Sequence, residues 1–142
     1  MIDKIEVTID VIIHATEDIT KIFQVFEELL DLKEDNFTIH ETTGHFDNPI
    51  ILLNVKIVKK EVQNFMKKLL EFLSVEQINQ LIEEIEERTK DSRFHMRLDK
   101  QELMKGKFVF GENESIKIKI HTPIYNKKNT VKTFTEIFQI AN

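Results

Sequence analysis

The sequence has 142 residues and a formal net charge of −5, with 41% hydrophobic and 32% charged residues, proportions that exclude a disordered polymer and a membrane-spanning run. It holds no cysteine, three glycines and two prolines, which removes disulfide frameworks, thiolate metal sites, cysteine nucleophiles and glycine-rich phosphate loops together. The opening MIDKIEVTID carries charges where an export signal needs an apolar stretch, so the expected location is the cytoplasm, and the length predicts one domain over residues 1–142.

Residues 2–13 alternate Ile5, Val7, Ile9, Val11 and Ile13 with Lys4, Glu6, Thr8 and Asp10, the two-residue period of a half-buried strand. Thr16 then stands where a helix cap is needed, Glu17 and Asp18 suit the positive end of the helix dipole, and Ile19, Ile22, Phe23, Phe26, Leu29 and Leu30 share one helical face. Phe37 to Thr42 and Ile50 to Val58 read as a hairpin whose loop carries Gly44, Asp47, Asn48 and Pro49. The second of these strands, IILLNVKIV, is apolar enough for a central strand covered on both faces or nearly so.

Helical spacing returns over residues 60–73 through Val62, Phe65, Met66, Leu69 and Leu70. Ser74 with Gln77 forms a capping box that restarts a helix bearing Ile78, Leu81, Ile82 and Ile85. The acidic run at 83–90 reads as its solvated face. In RFHMRL, residues 93–98, Phe94, Met96 and Leu98 point to one side of a strand and Arg93, His95 and Arg97 to the other. Asp99 and Glu102 then predict a capped short helix ending at a left-handed Gly106. Short and long strands follow at Lys107 to Phe110 and Ser115 to Tyr125, and a last helix from Asn129 or Thr130 has Val131, Phe134, Ile137 and Phe138 as its core face. The whole predicts an α+β fold: a single, mostly antiparallel sheet with helices packed on one face.

Charge is divided along the chain. Residues 1–87 hold 8 Lys and Arg against 19 Asp and Glu, net −11, whereas residues 88–142 hold 12 against 6, net +6. The basic candidates are Arg93, Arg97, Lys100, Lys105, Lys107, Lys117 and Lys119. If strands 93–98 and 115–125 are neighbours, Arg93, His95, Arg97, Lys117, Lys119 and His121 share a polar face able to follow a phosphate backbone. The same side chains would also keep a strand edge soluble. Most of the 11 Phe lie at periodic core positions and there is one Tyr; Phe46 and Tyr125 are the two candidates for exposure, with a core or hinge place the favoured alternative for Tyr125, so structured RNA bound by backbone and shape fits better than single strands read by stacking.

Histidines 14, 40, 45, 95 and 121, with Asp18 and Asp47, form no metal-binding spacing. Ser74, Ser92 and Ser115 lack a nucleophile-elbow sequence. No metal site, cofactor or catalytic group is expected.

Three stretches in series, HATED at 14–18, TGHFDNPI at 43–50 and RLDKQ at 97–101, resemble the archaeal RNA-binding-domain family described as a predicted exosome subunit. The resemblance covers nearly the whole chain. It implies a fold like that of the ribosomal protein that binds 5S rRNA, RNA as the partner, no enzymatic role and no cofactor. It departs at Asp47, where the family more often has glycine, a change that bears on a tight loop. Two functional expectations result. One is an RNA-binding accessory of an RNA-processing complex, with the seven basic residues as its contacts. The other is a homodimeric protein-interaction module whose basic residues confer only solubility, with no membrane association in either case.

Overall fold

A computed structural model describes residues 4–113 and 115–139, and for His45 the backbone alone. In chain order the elements are β1 (Glu6–His14), α1 (Ile19–Leu30), β2 (Thr38–Thr43), β3 (Pro49–Val58), α2 (Lys60–Phe72), α3 (Val75–Glu83), α4 (Ile85–Arg88), β4 (Thr89–Lys90), β5 (Arg93–Asp99), α5 (Lys100–Met104), β6 (Ser115–His121) and α6 (Thr130–Gln139). The strands form one sheet in the order β2-β3-β1-β6-β5-β4. This is the expected α+β architecture, with one antiparallel sheet and six helices. Contacts group the chain into two compact units, each assembled from separate stretches.

The α1 unit comprises residues 8–56, 97–113 and 115–118. In it the strand period works as expected, with Ile9, Val11 and Ile13 buried while Thr8, Asp10 and His14 are half-buried. Ile22, Phe23, Phe26 and Leu30 of α1 are buried, and Phe37 meets Phe23 at 5.5 Å and Phe26 at 5.3 Å between ring centroids, separations at which aromatic pairs attract beyond their area. β2 pairs antiparallel with β3 in a register that sets Thr38 against Asn54 and Thr43 against Pro49. Asn54 also donates its side-chain amide to Asp10 Oδ1 at 2.7 Å.

The α6 unit comprises residues 4–7, 57–96 and 119–139. Phe94 lies at its centre, 4.9 Å from Phe138 and 5.6 Å from Phe134. Val62, Phe65, Met66, Leu69 and Leu70 bury the expected face of α2, and Ser74 and Gln77 exchange both bonds of the capping box. β4 and β5 join through Asp91 and Ser92, both left-handed at φ 52° and 64°, as a two-residue hairpin of the favoured twist requires. That hairpin sets Lys90 opposite Arg93.

Several expectations are corrected. α1 is capped by Asp18, whose Oδ1 accepts the Thr20 N–H at 3.0 Å, and not by Thr16. β3 alternates, with Leu53, Val55 and Ile57 buried, Leu52, Asn54 and Val58 half-buried and Lys56 exposed, so its second face is only partly covered. The second helix breaks at Glu84, and the acidic run ends in β4. Lys107 to Phe110 contributes only a bridge between Leu98 and Phe110. β6 stops at His121, two residues before Pro123, which has no N–H to donate to a ladder. Val131 is 39% exposed and outside the core. Ile2 and Asp3 of the expected first strand lie outside the described residues.

Candidate nucleic-acid interface

In the α1 unit the exposed cations are set by three local devices. The first is strand alternation. Leu98 is buried while Arg97 is exposed on β5, and Ile116 and Ile118 are buried while Lys117 is exposed on β6, the strand beside it. The second is the end of α5. Gly106, at φ +81°, donates its N–H to Leu103 O at 2.8 Å, and Lys107 N–H bonds Glu102 O at 3.0 Å. This left-handed cap leaves Lys105 and Lys107 exposed on either side of the glycine. Lys105 reaches Glu102 at 3.5 Å, an exposed i,i+3 pair of little energetic weight.

The third device orients Arg97. Asp99 N–H bonds Val109 O at 2.7 Å and Gly111 N–H bonds Arg97 O at 3.0 Å, so the segment after α5 is stitched to the end of β5. Glu112 O is thereby brought to Arg97, whose Nη1 donates to it at 3.0 Å. One contact to a carbonyl leaves most of the guanidinium's five donors facing outward.

Lys100 is placed differently from the other expected contacts. Its side chain is only 3% exposed, and Nζ donates to Ile12 O at 2.7 Å and to Glu17 Oε1 at 2.8 Å. Glu17 Oε1 also accepts the His14 N–H at 2.9 Å. Burial raises the Glu17 carboxyl, but the His14 N–H and the bond and charge of Lys100 outweigh it and hold the group below its ordinary 4.5. An ammonium so enclosed anchors the fold and cannot meet a phosphate. Asp99 caps α5 through the Glu102 N–H at 2.9 Å.

All three segments that carried the family resemblance lie in this unit. HATED and RLDKQ meet in the Lys100–Glu17 pair. A small cavity of about 280 Å³ brings in the third, lined by His14, Ala15 and Glu17 on one side and Pro49 and Ile50 on the other. The loop of that third segment closes with Gly44 N–H on Asn48 O at 2.7 Å. Asp47 has φ 60°, so the tight left-handed turn survives without glycine, on one of the residue types that tolerates it. Phe46, also left-handed, is 92% exposed.

The α6 unit holds the remaining expected contacts. Arg93 is exposed and donates to Asp91 O at 3.3 Å, whereas Lys119 and His121 are half-buried. Arg88 bonds Glu84 at 3.2 Å and His95 O at 3.4 Å. Tyr125 is 88% exposed, the outcome its candidacy for exposure named and not the favoured core or hinge place; the exposed Lys127 and Lys128 that follow it are not among the basic candidates, although the run YNKK is their signal. Among the described residues no group of three or more His, Asp or Glu side chains is placed to hold a metal ion, and no helix is long and apolar enough to cross a membrane.

A family model described as RNA binding matches residues 6–122. The uncharacterized protein MJ0213 of Methanocaldococcus jannaschii is 31% identical over 143 residues, 96% of this chain and 95% of that protein. The RNA-binding protein PAB1135 of Pyrococcus abyssi is 32% identical over 133 residues, covering 87% and 86%. Among solved structures, protein AF2318 of Archaeoglobus fulgidus superposes with a TM-score of 0.79 at 26% identity, over 93% of this chain and 97% of that one.

Proposed function

Since the chain belongs to the RNA-binding family, we propose that it is a non-enzymatic protein that holds structured RNA through its exposed cations, as a cytoplasmic accessory of an RNA-processing assembly. In the α1 unit the proposed contacts are Arg97, Lys105, Lys107 and Lys117; in the α6 unit, taken by itself, the contact is the exposed Arg93, and the half-buried Lys119 is left out. Lys100 is not among them. The observation that carries the reading is the exposure of Arg97 and Lys117 on adjacent strands with Lys105 and Lys107 flanking Gly106, in a chain whose net charge is negative. Phosphate is bound by cations held in place, and a planar guanidinium oriented by Glu112 O meets that need.

Titration of a labelled RNA hairpin with the full chain at several salt concentrations tests this. If about four phosphates are engaged, log affinity falls with log salt at a slope on the order of −3 to −4. Absence of binding at low salt would overturn the proposal.

The alternative, a homodimeric interaction module, draws on a different feature. β2 ends the sheet order, and all six of its residues are exposed, Ile39 to 49%. Such an edge is a template for pairing with a second copy. A monomer by sedimentation at high protein concentration would dismiss it.

A further inference from the structure

Partly within the segment matched by the family and partly just beyond it, the α6 unit carries a second constellation with its own chemistry. A half-open groove of about 640 Å³ runs between the β4–β5 hairpin and the start of α6. Lys90 lines it from the hairpin, and Lys127 and Lys128 line it from the other side. Tyr125 stands in the chain between two lining residues, Ile124 and Lys127, with 88% of its surface open to solvent. The backbone that presents these side chains is fixed: Asn126 Oδ1 accepts the Lys128 N–H at 3.0 Å, and Asn126 O accepts the Asn129 N–H at 2.9 Å. A solvent-exposed aromatic ring and two groove-lining lysines thus belong to one pinned turn, and Lys90 lines the same groove from the hairpin.

Two carboxylates, Glu86 and Asp91, also line the groove, and they decide between ligands. Three ammonium groups against two carboxylates give only a slight excess of positive charge, too little for a site specialised in bare phosphate. Arg93, opposite Lys90 in the hairpin register, adds one more cation at the edge. Cations for a phosphate, a ring for a base face and carboxylates able to accept from exocyclic amino groups are together the complement of a nucleotide. A nucleotide presents its base to a ring only when unpaired.

We propose that Tyr125, with Lys90, Lys127 and Lys128, binds an unpaired nucleotide of RNA, the base stacked on the phenol ring and its phosphate on the lysines. The proposal rests on the RNA-binding reading above and adds a preference for RNA with a single-stranded end to binding of the structured part.

The composition of the chain supplies a direct reporter. Tyr125 is its one tyrosine and there is no tryptophan, so tyrosine emission comes from this position alone. The full chain is titrated with a blunt RNA hairpin and with the same hairpin carrying a short unpaired 3′ tail. The tailed RNA is expected to bind more tightly and to quench the emission in a saturable way, while the blunt one quenches less. Tyr125→Ala should lose roughly tenfold in affinity for the tailed RNA, the scale of one base stack, with the blunt RNA bound as before. Tyr125→Phe should retain the tail preference, and Lys127→Ala with Lys128→Ala should reduce it. If both hairpins bind but the tail adds nothing to affinity or quenching, this inference falls and the RNA-binding reading stands. If neither RNA binds, both fall. Saturable quenching by an acidic peptide with none by the tailed RNA would assign the groove to a protein partner and overturn the proposal.

Discussion

Lys100 Nζ lies 2.8 Å from Oε1 of Glu17 across 83 positions of sequence, and the same nitrogen donates to Ile12 O at 2.7 Å. The pair ties the start of α5 to the turn between β1 and α1, so the residues that mark the family also hold this unit together. Removing one partner of a buried pair costs more than the pair contributes, because the other charge remains enclosed. Lys100→Met should lower unfolding free energy by roughly 1.5–3 kcal/mol, the scale of lost charge-assisted bonds. A fall in the denaturant midpoint, with RNA affinity of the folded fraction within twofold of the parent, is the expected outcome. Unchanged stability with lost RNA binding would restore Lys100 to the contact surface.

The same pair sets an acid limit. Burial pushes the Glu17 carboxyl up, yet the His14 N–H and Lys100 bring it below 4.5. A carboxylate depressed in the folded state contributes stability that is complete above its unfolded value and is lost as pH falls through the folded one. Stability should therefore decline below about pH 4.5 from this source, and the decline should be shallower in Glu17→Gln. Urea midpoints measured from pH 6 to pH 3 on both proteins check the sign. Parallel curves for the two would remove Glu17 from the acid transition.

Much of the fold was legible because burial on one face imposes a period on the strands. Phe94, Met96 and Leu98, and likewise Ile116, Ile118 and Ile120, are all buried as the alternation required, and Ser74, Asp99 and Gly106 act at the helix ends where they were expected. What failed did so where a local pattern has two outcomes. Asp18 and Thr16 are both capping residues, and two positions separate them. The alternation after His121 looks like a strand until Pro123 withholds a donor. Lys100 reads as a surface cation because nothing local announces that Glu17, far along the chain, will accept it.

For the proposed interface the two strand cations are the sharpest test, since neither supports the core. Arg97 and Lys117 are exposed, and replacement of both by Ala should move the denaturant midpoint little, as surface changes of this kind cost within about 0.5 kcal/mol. RNA affinity should fall for hairpins of different sequence alike, and the slope of log affinity against log salt should become shallower by about 2, one for each phosphate contact removed. Equal slopes in parent and variant would show that these side chains meet no phosphate.

Arg97 in turn depends on a glycine remote from any turn requirement. A Cβ on Gly111 would sit 2.9 Å from both Cα and N of Asp99, and backbone cannot swing aside as the end of a side chain can. Gly111→Ala should push the segment after α5 away from β5, breaking the Gly111 N–H bond to Arg97 O and carrying Glu112 O off the guanidinium. The stability cost is expected at about 1–3 kcal/mol, as for other overpacked sites. Gly106→Ala provides the contrast. Its φ of +81° is strained for alanine but a Cβ there meets nothing within 4 Å, so the cost should stay near 1 kcal/mol. Denaturant midpoints should therefore rank the parent above Gly106→Ala and Gly106→Ala above Gly111→Ala. RNA affinity measured at equal folded fraction should drop only in the last, because only there does Arg97 lose the carbonyl that aims it.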